Sequence, residues 1–370
     1  MARKIRVAVL FGGRSAEHEV SLQSARSILE AIDKNKYDVV PIAIDKAGRW
    51  YLNDASRLLL HADDPKSIKL NNGSRDSVAL VPAPSGKQEQ LISLTKHEPV
   101  EPIDVVFPVL HGTYGEDGTV QGLLKLANIP FVGPSVLGSA VGMDKDVTKR
   151  LLREAGIPVA RFLVFERHRR SAIDFGAVTD QLGLPLFVKP ANLGSSVGVS
   201  KAKDEREFKE AIALAFEYDT KILIEEAISG REIECAVLGN EEPMVSIPGE
   251  IVPTHEFYSY EAKYIDEKGA LLEIPAKLTP EQVSAVQDLS ARTFKALCCE
   301  GMARVDCFLT CDGQFLVNEI NTIPGFTTIS MYPKLWEASG LPYTELVDRL
   351  IQLAVERWER EQALKTSRQL

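Results

Sequence analysis

Apolar and polar positions alternate in blocks that suit strands and helices in turn. Ile5-Arg6-Val7-Ala8-Val9-Leu10-Phe11 is a buried-strand run ending at Gly12-Gly13. Ser21 then stands where it would cap a helix reaching about Ile32. Tyr37–Ile44 is a second strand-like run and Ile103–Leu110 a third. A glycine-rich loop, a helix near Thr119–Ala127 and a short strand near Phe131 follow. Strands alternating with helices predict an α/β fold with a doubly wound parallel sheet. Residues 53–101 are polar and rich in turn formers, which predicts an insertion with one small hairpin, Val78–Val81 with Leu91–Leu94.

From Val141 the pattern changes. Asp144 is placed to start a helix that ends near Gly156, with Pro158 beyond it. Leu184–Pro190 reads as a strand carrying Lys189. It runs into Ala191-Asn192-Leu193-Gly194-Ser195-Ser196-Val197-Gly198, a loop whose amides and hydroxyls suit phosphate. It is not a Walker loop, because no GxxxxGK[ST] occurs. Lys221–Glu226 is another strand, ending in acids. Glu225 and Glu232 are candidates for adenine and ribose, against the plainer reading of a solvated strand end.

The densest chemistry lies between Met302 and Gly325. Two apolar-rich runs flank Asp312-Gly313, a strong hairpin signal. A two-residue turn there sets Cys311 opposite Gln314, Asp306 opposite Glu319 and Arg304 opposite Asn321. These four charged and amide side chains then share one face. Val305, Cys307, Leu309, Leu316 and Ile320 make the other. Facing carboxylates repel, and a divalent cation removes that penalty. From the hairpin alone, a metal–nucleotide site and a solvated charged face both stay open.

Beyond the expected strand ends lie Ser15-Ala16-Glu17-His18-Glu19 and His111-Gly112-Thr113-Tyr114-Gly115-Glu116-Asp117-Gly118, where ligands of such sheets bind. Glu17 suits a substrate ammonium and His111 a carboxylate; loop solvation and helix capping are the alternatives. His255–Tyr264 packs three tyrosines into seven residues and suits a lid.

Composition narrows the field. The chain has 370 residues, enough for two or three domains, with 45% hydrophobic content and a net charge of −9. Without a basic block, nucleic acid is not an expected partner. No apolar run approaches the roughly 20 residues that span a bilayer. The start enters a strand directly rather than through a signal peptide, so a cytoplasmic protein is expected. Five cysteines without CxxC spacing argue against a disulfide framework or zinc site. Cys298, Cys299 and Cys307 are expected to be buried thiols. The stretch from about Trp358 to Leu370 is polar and expected to fray.

Taken in order, these motifs closely resemble the ATP-grasp superfamily and, within it, the D-alanine–D-alanine ligases. The residues that carry the resemblance are Phe11–Leu22, His111–Gly118, Met143-Asp144-Lys145, Val188–Gly198, Tyr260–Tyr264, Gly301–Asp306 and Asn318–Gly325. It implies an N-terminal domain at 1–137, then a two-lobed ATP-grasp fold of α+β character, central at 138–224 and C-terminal at 225–370, with a lid near 255–268. It implies ATP and two magnesium ions, with manganese as a substitute and a monovalent cation left open. D-alanine is the implied small-molecule substrate, and a homodimer is adopted on the same ground.

The roles it implies are these. Lys145 and Lys189 contact phosphates beneath the Gly194, Ser195, Ser196 and Val197 loop, and Lys263 reaches the γ-phosphate. Glu225, Glu226 and Glu232 serve adenine and ribose, although relatives with a lysine at the Glu226 position put a side-chain contact there in doubt. Asp306, Glu319 and Asn321 hold metal, with Asn318 also on the nucleotide side. Arg304 and the Gly325 amide form the oxyanion hole. Glu17 and His111 bind the first D-alanine, and Ser330 with Gly325 the second. Ser195, Glu17 and Tyr264 latch the lid. Tyr264 matches the tyrosine of ligases that make the D-Ala–D-Ala dipeptide, which points to an amine as second nucleophile.

Overall fold

The structure, a computed structural model, describes residues 3–52, 59–60, 68–70, 76–82, 90–253 and 270–365. Lys263, Tyr264 and the whole of the expected lid fall in 254–269, outside the described residues.

The N-terminal region contains β1 (Ile5–Gly12), α1 (His18–Ala31), β2 (Tyr37–Ile44), β3 (Trp50–Leu52), β4 (Leu59–Leu60), β5 (Lys69–Leu70), β6 (Asp76–Leu80), β7 (Leu91–Ser93), β8 (Glu98–Pro99), β9 (Val105–Val109) and α2 (Thr119–Leu126). β1 lies parallel between β2 and β9. Val7 to Phe11 are wholly buried, as a central strand covered on both faces must be. Leu22, Ala25 and Ile28 of α1 cover one face, and Val120 and Leu124 of α2 the other. The parallel part is only three strands wide. β3, β6, β7 and β8 extend the same sheet, in the order β8-β7-β6-β3-β2-β1-β9. The expected insertion hairpin is β6–β7, and it widens this sheet instead of standing apart. Near Phe131 there is a single parallel bridge to Val106. Ser21 is not a cap, since α1 starts three residues earlier. Its hydroxyl accepts from the Gly12 amide at 2.7 Å and donates to the Val109 carbonyl, tying the ends of β1 and β9 together.

Next come α3 (Val136–Met143), α4 (Lys145–Glu154), β10 (Phe162–Glu166), α5 (Phe175–Leu182), β11 (Leu186–Pro190), β12 (Ser200–Ala202), α6 (Glu205–Tyr218) and β13 (Lys221–Glu226). Asp144 caps α4 by accepting from the Asp146 and Val147 amides, both at 3.1 Å. The strands form an antiparallel sheet, β10-β13-β11-β12. Leu186, Val188, Ile222 and Ile224 turn one face onto α5 and α6. Alternation therefore sends Lys189 and Glu225 to the opposite face.

The remaining elements are β14 (Gly230–Gly239), β15 (Met244–Val245), β16 (Gly249–Pro253), β17 (Ala270–Glu273), α7 (Pro280–Ala296), β18 (Gly301–Thr310), β19 (Phe315–Asn321), α8 (Met331–Ala338) and α9 (Tyr343–Gln362). Their sheet runs β17-β16-β14-β18-β19. Val286, Leu289 and Phe294 of α7 cover one face. α9 returns to the first sheet, packing Leu346 and Leu350 with Val7 and Phe107. It stays helical to Gln362, and Trp358 donates to Asn128 at 3.0 Å, so the expected fraying does not begin at Trp358.

The β18–β19 hairpin differs from expectation in an instructive way. Near its tip Leu309 pairs with Phe315, and the Thr310 amide donates to the Gln314 carbonyl at 2.9 Å. The loop is thus Cys311-Asp312-Gly313, three residues with Gly313 at φ +84, not a two-residue turn. That alone would slip every pair by one. A bulge at Asn318 restores the register, so Asp306 faces Glu319 and Arg304 faces Asn321 as expected. The two irregularities cancel at the site but not between them. Phe315 and Val317 enter the core in place of Leu316. Of the cysteines expected to be buried, Cys299 and Cys307 are, while Cys298 is exposed at φ +54 after the last turn of α7.

Candidate active site

Two adjoining cavities open where the three sheets meet. Glu17, His111, Ser195, Arg304, Asp306, Asn321, Gly325 and Ser330 line the first. Lys145, Lys189, Ser196, Glu225 and Glu226 line the second. Gly194, Ser195, Glu232, Asn318 and Glu319 border both. The bulge explains how neighbours Asn318 and Glu319 both reach the cavities, which plain strand alternation forbids.

The β18–β19 wall is rich in carboxylates. Arg304 grips Asp306 in a two-pronged pair, both contacts at 2.7 Å, and its Nε lies 2.9 Å from Glu234. Asn321 donates to Asp306 at 2.9 Å. Lys145 Nζ stands 3.8 Å from Glu319. Each carboxylate of the expected metal set thus faces a protein cation.

The opposite wall is rich in lysine. Lys189 Nζ is 2.6 Å from one Glu225 oxygen, and Lys149 Nζ is 3.3 Å from the other. Glu225 is 3% exposed. Burial opposes its ionisation, yet Lys149 and Lys189 outweigh burial and hold its pKa below the ordinary value. The Glu225 carboxylate is therefore engaged by lysines. Glu226 turns to Arg161, accepting from its amide and from its Nε at 2.7 Å each. Lys145 donates to the Leu193 carbonyl at 2.6 Å, holding the start of the Gly-Ser loop. Ser195 and Ser196 sit at φ +51 and +59, an unfavourable conformation for non-glycine residues. Val197 lies at neither cavity, and its amide donates to Gly194.

Glu17 reaches over from the N-terminal sheet and accepts from the Ser195 hydroxyl. Gly112 sits at φ +74, which favours glycine, and a Cβ there would come within 2.6 Å of Glu17 Oε2. Ser15 links the neighbouring loops, donating to the His111 carbonyl at 2.7 Å and accepting from the Glu17 amide at 2.9 Å. His111 is fully buried, which pushes its pKa down to about 4. Its Nδ1 lies 3.0 Å from the Ile323 carbonyl, which only accepts, so Nδ1 carries the proton. Nε2 then accepts from Ser24, 3.3 Å away, and Ser24 accepts from the Phe326 amide at 3.2 Å. The ring braces the segment Ile323–Phe326, and both its nitrogens are occupied. Ser330 stands against Gly325, where an added Cβ would meet its Oγ at 2.8 Å.

Three residues at this site had no role in the sequence reading. Glu116 accepts from the Gly112 amide at 2.8 Å. Burial first, and then the nearby Glu17 charge, raise its pKa to about 8. Glu234 backs Arg304, and Lys149 backs Glu225. Strand alternation from Glu232 would have found Glu234, and the four-residue spacing from Lys145 would have found Lys149.

Three sheets around a cleft of this composition define the ATP-grasp class of ligase. Comparison with known proteins agrees. The family described as D-ala D-ala ligase N-terminus matches residues 6–134, and D-ala D-ala ligase C-terminus matches residues 151–352. A D-alanine–D-alanine ligase of Oceanobacillus iheyensis is 56% identical over 365 residues, 99% of each chain. D-alanine–D-alanine ligase A of Escherichia coli is also 56% identical, over 98% of this chain and 99% of that one. Among solved structures, the D-alanine–D-alanine ligase of Coxiella burnetii is similar with TM-score 0.85 and 42% identity, covering 98% of this chain and 97% of that one. The VanG D-Ala:D-Ser ligase of Enterococcus faecalis is similar with TM-score 0.83 and 38% identity, over 95% and 100%. The chain belongs to the D-alanine–D-alanine ligase family.

Proposed function

We propose that this protein joins two D-alanines with ATP, for the synthesis of cell-wall peptidoglycan precursor. The observation that carries this reading is the convergence of Glu17, Arg304, Gly325 and Ser330 on one cavity, beside a lysine-lined nucleotide cavity, in a chain 54–58% identical to D-alanine–D-alanine ligases.

The carboxylate of the first D-alanine attacks the γ-phosphorus, the bond to ADP breaks, and D-alanyl phosphate forms. The amine of the second attacks the acyl carbon, loses a proton, and phosphate leaves. The protein positions reactants and stabilises charge. Glu17 holds the ammonium of the first D-alanine. Arg304 and the Gly325 amide face the oxygen that becomes negative, and Ser330 holds the second carboxylate. Lys145 and Lys189 take phosphates under the Gly194–Gly198 loop. Glu232, with the backbone near Glu226, takes ribose and adenine, because lysines engage Glu225. Asp306, Glu319 and Asn321 offer the hard oxygen donors that suit magnesium, with Asn318 beside them on the nucleotide side. Magnesium, when bound, supplies charge neutralisation on the phosphates. Lys263 and Tyr264 keep the lid roles implied by resemblance.

We also propose the three-part division at 1–137, 138–224 and 225–370, supported by one large sheet in each part, with β13 carrying the second boundary to Glu226. A cytoplasmic homodimer is part of the same reading. Among the described residues no helix is long and apolar enough to cross a membrane.

Phosphate release from ATP should require D-alanine. Equal release with L-alanine, or with no amino acid, defeats the proposal. A second reading is motivated by the 38% identity to a D-Ala:D-Ser ligase. Product masses with D-alanine, D-serine and D-lactate offered together decide between them; D-Ala–D-Ala should dominate.

A further inference from the structure

Lys149 belongs to no step of the proposed reaction, yet it lies at the heart of the nucleotide wall. It sits on α4 one turn after Lys145, and it is 0% exposed. Its ammonium has no hydrogen-bond acceptor among the described residues. Its ion-pair partner is Glu225 Oε1 at 3.3 Å, and the Phe162 ring centroid lies 5.9 Å away. An apolar side chain would fill such a position at lower desolvation cost, so packing alone does not account for a lysine there.

The geometry suggests what it does. Glu225 is shared between two lysines of unequal freedom. Lys149 is sealed in, whereas Lys189 is 12% exposed and lines the cavity. If Lys189 were the sole counter-ion of Glu225, moving it to a phosphate would strand a buried carboxylate. With Lys149 behind, Glu225 keeps a counter-ion throughout. We propose that Lys149 is a positioning residue for the nucleotide polyphosphate, holding Glu225 from behind so that Lys189 can leave that carboxylate for the phosphates. The inference rests on the reading of this cavity as the ATP site.

Calorimetric titration of the full chain with ATP and, separately, with adenosine tests it without turnover. K149M should weaken ATP at least about tenfold, as truncating one partner of a buried charge pair does, while adenosine stays within about twofold. The double variant K149M/E225Q removes the stranded charge and should bring ATP back to within about threefold of wild type. Equal weakening of ATP and adenosine in K149M, or a double variant no better than K149M, overturns the inference. If K149M does not fold, E225Q decides: ATP binding as tight as wild type or tighter supports it, and a loss of about tenfold overturns it. Failure of wild type to bind ATP removes the ATP reading itself, and this inference with it. An unaffected K149M removes this inference alone.

Discussion

The two walls of the cleft are built from antiparallel sheets, yet their charges are opposed. On one side Lys189 of β11 and Lys149 of α4 flank a single acid, Glu225 of β13. On β14, β18 and β19, one arginine serves two acids, Glu234 and Asp306, with Glu319 nearby. A polyphosphate entering between them meets cations directly on one side. On the other it meets acids that favour it only through a bound metal. On the proposed reading of the site, phosphate affinity and metal affinity are separable and belong to different sheets.

Substitutions that remove the charge of one wall should break this division where it is strongest. Arg304→Met is expected to cost on the order of 10²–10³ in turnover, because a group facing the developing oxyanion is lost. Steady-state phosphate release measures it, and near-normal turnover would remove Arg304 from that role. Next in size, Glu319→Gln should raise the magnesium concentration needed for half-maximal rate by at least the about 10–100-fold that losing an outer-shell partner costs. Lys189→Met should instead raise the KM for ATP and leave the magnesium requirement near wild type. If both variants shift both quantities alike, the walls are not separable.

A third wall, from the N-terminal sheet, sharpens the contrast through pH. Glu116 has a folded pKa of about 8 against an ordinary 4.5, so the native state keeps a proton that the unfolded chain has released. Stability therefore falls as pH rises through that window, by up to ~1.4 kcal/mol per pH unit. His111, lowered from 6.5 to about 4, gives the opposite slope, but only below pH 6.5. Denaturant unfolding between pH 6.5 and 8 should show the decline in wild type and a flatter profile in Glu116→Gln. An unchanged slope would remove Glu116 as its source. The smallest effect belongs to the hairpin tip. Gly313→Ala, at φ +84, should lower stability by about 1 kcal/mol with turnover unaltered. A loss of activity there would mean that tip and site are coupled.

Much of this arrangement is legible in the sequence, because it rests on local periodicity. β2 and β13 match their apolar runs, and Asp144 caps α4 as its position suggests. The Asp312-Gly313 turn signal puts Arg304, Asp306, Glu319 and Asn321 on one face. The facing pairs are right although the turn is not, since the bulge at Asn318 offsets the longer loop. Nothing in Val317-Asn318-Glu319 marks a bulge; the choice follows from which side chains the core accepts. Lys149 carries no sequence signal because its partner Glu225 comes from β13, and Glu116 carries none because burial and the neighbouring Glu17, set by the fold, give it its character. Ser21 misled because serine near a helix start suits capping, whereas here it bonds across two strands.

The paired irregularities of the β18–β19 hairpin have a consequence for engineering. Because Asn318 resets the pairing below the loop, the tip at Cys311–Gly313 is insulated from the catalytic face. A short peptide epitope spliced between Asp312 and Gly313 would leave Asp306 and Glu319 across from one another. The tip therefore offers an attachment point for labels or surfaces that lies outside both cavities.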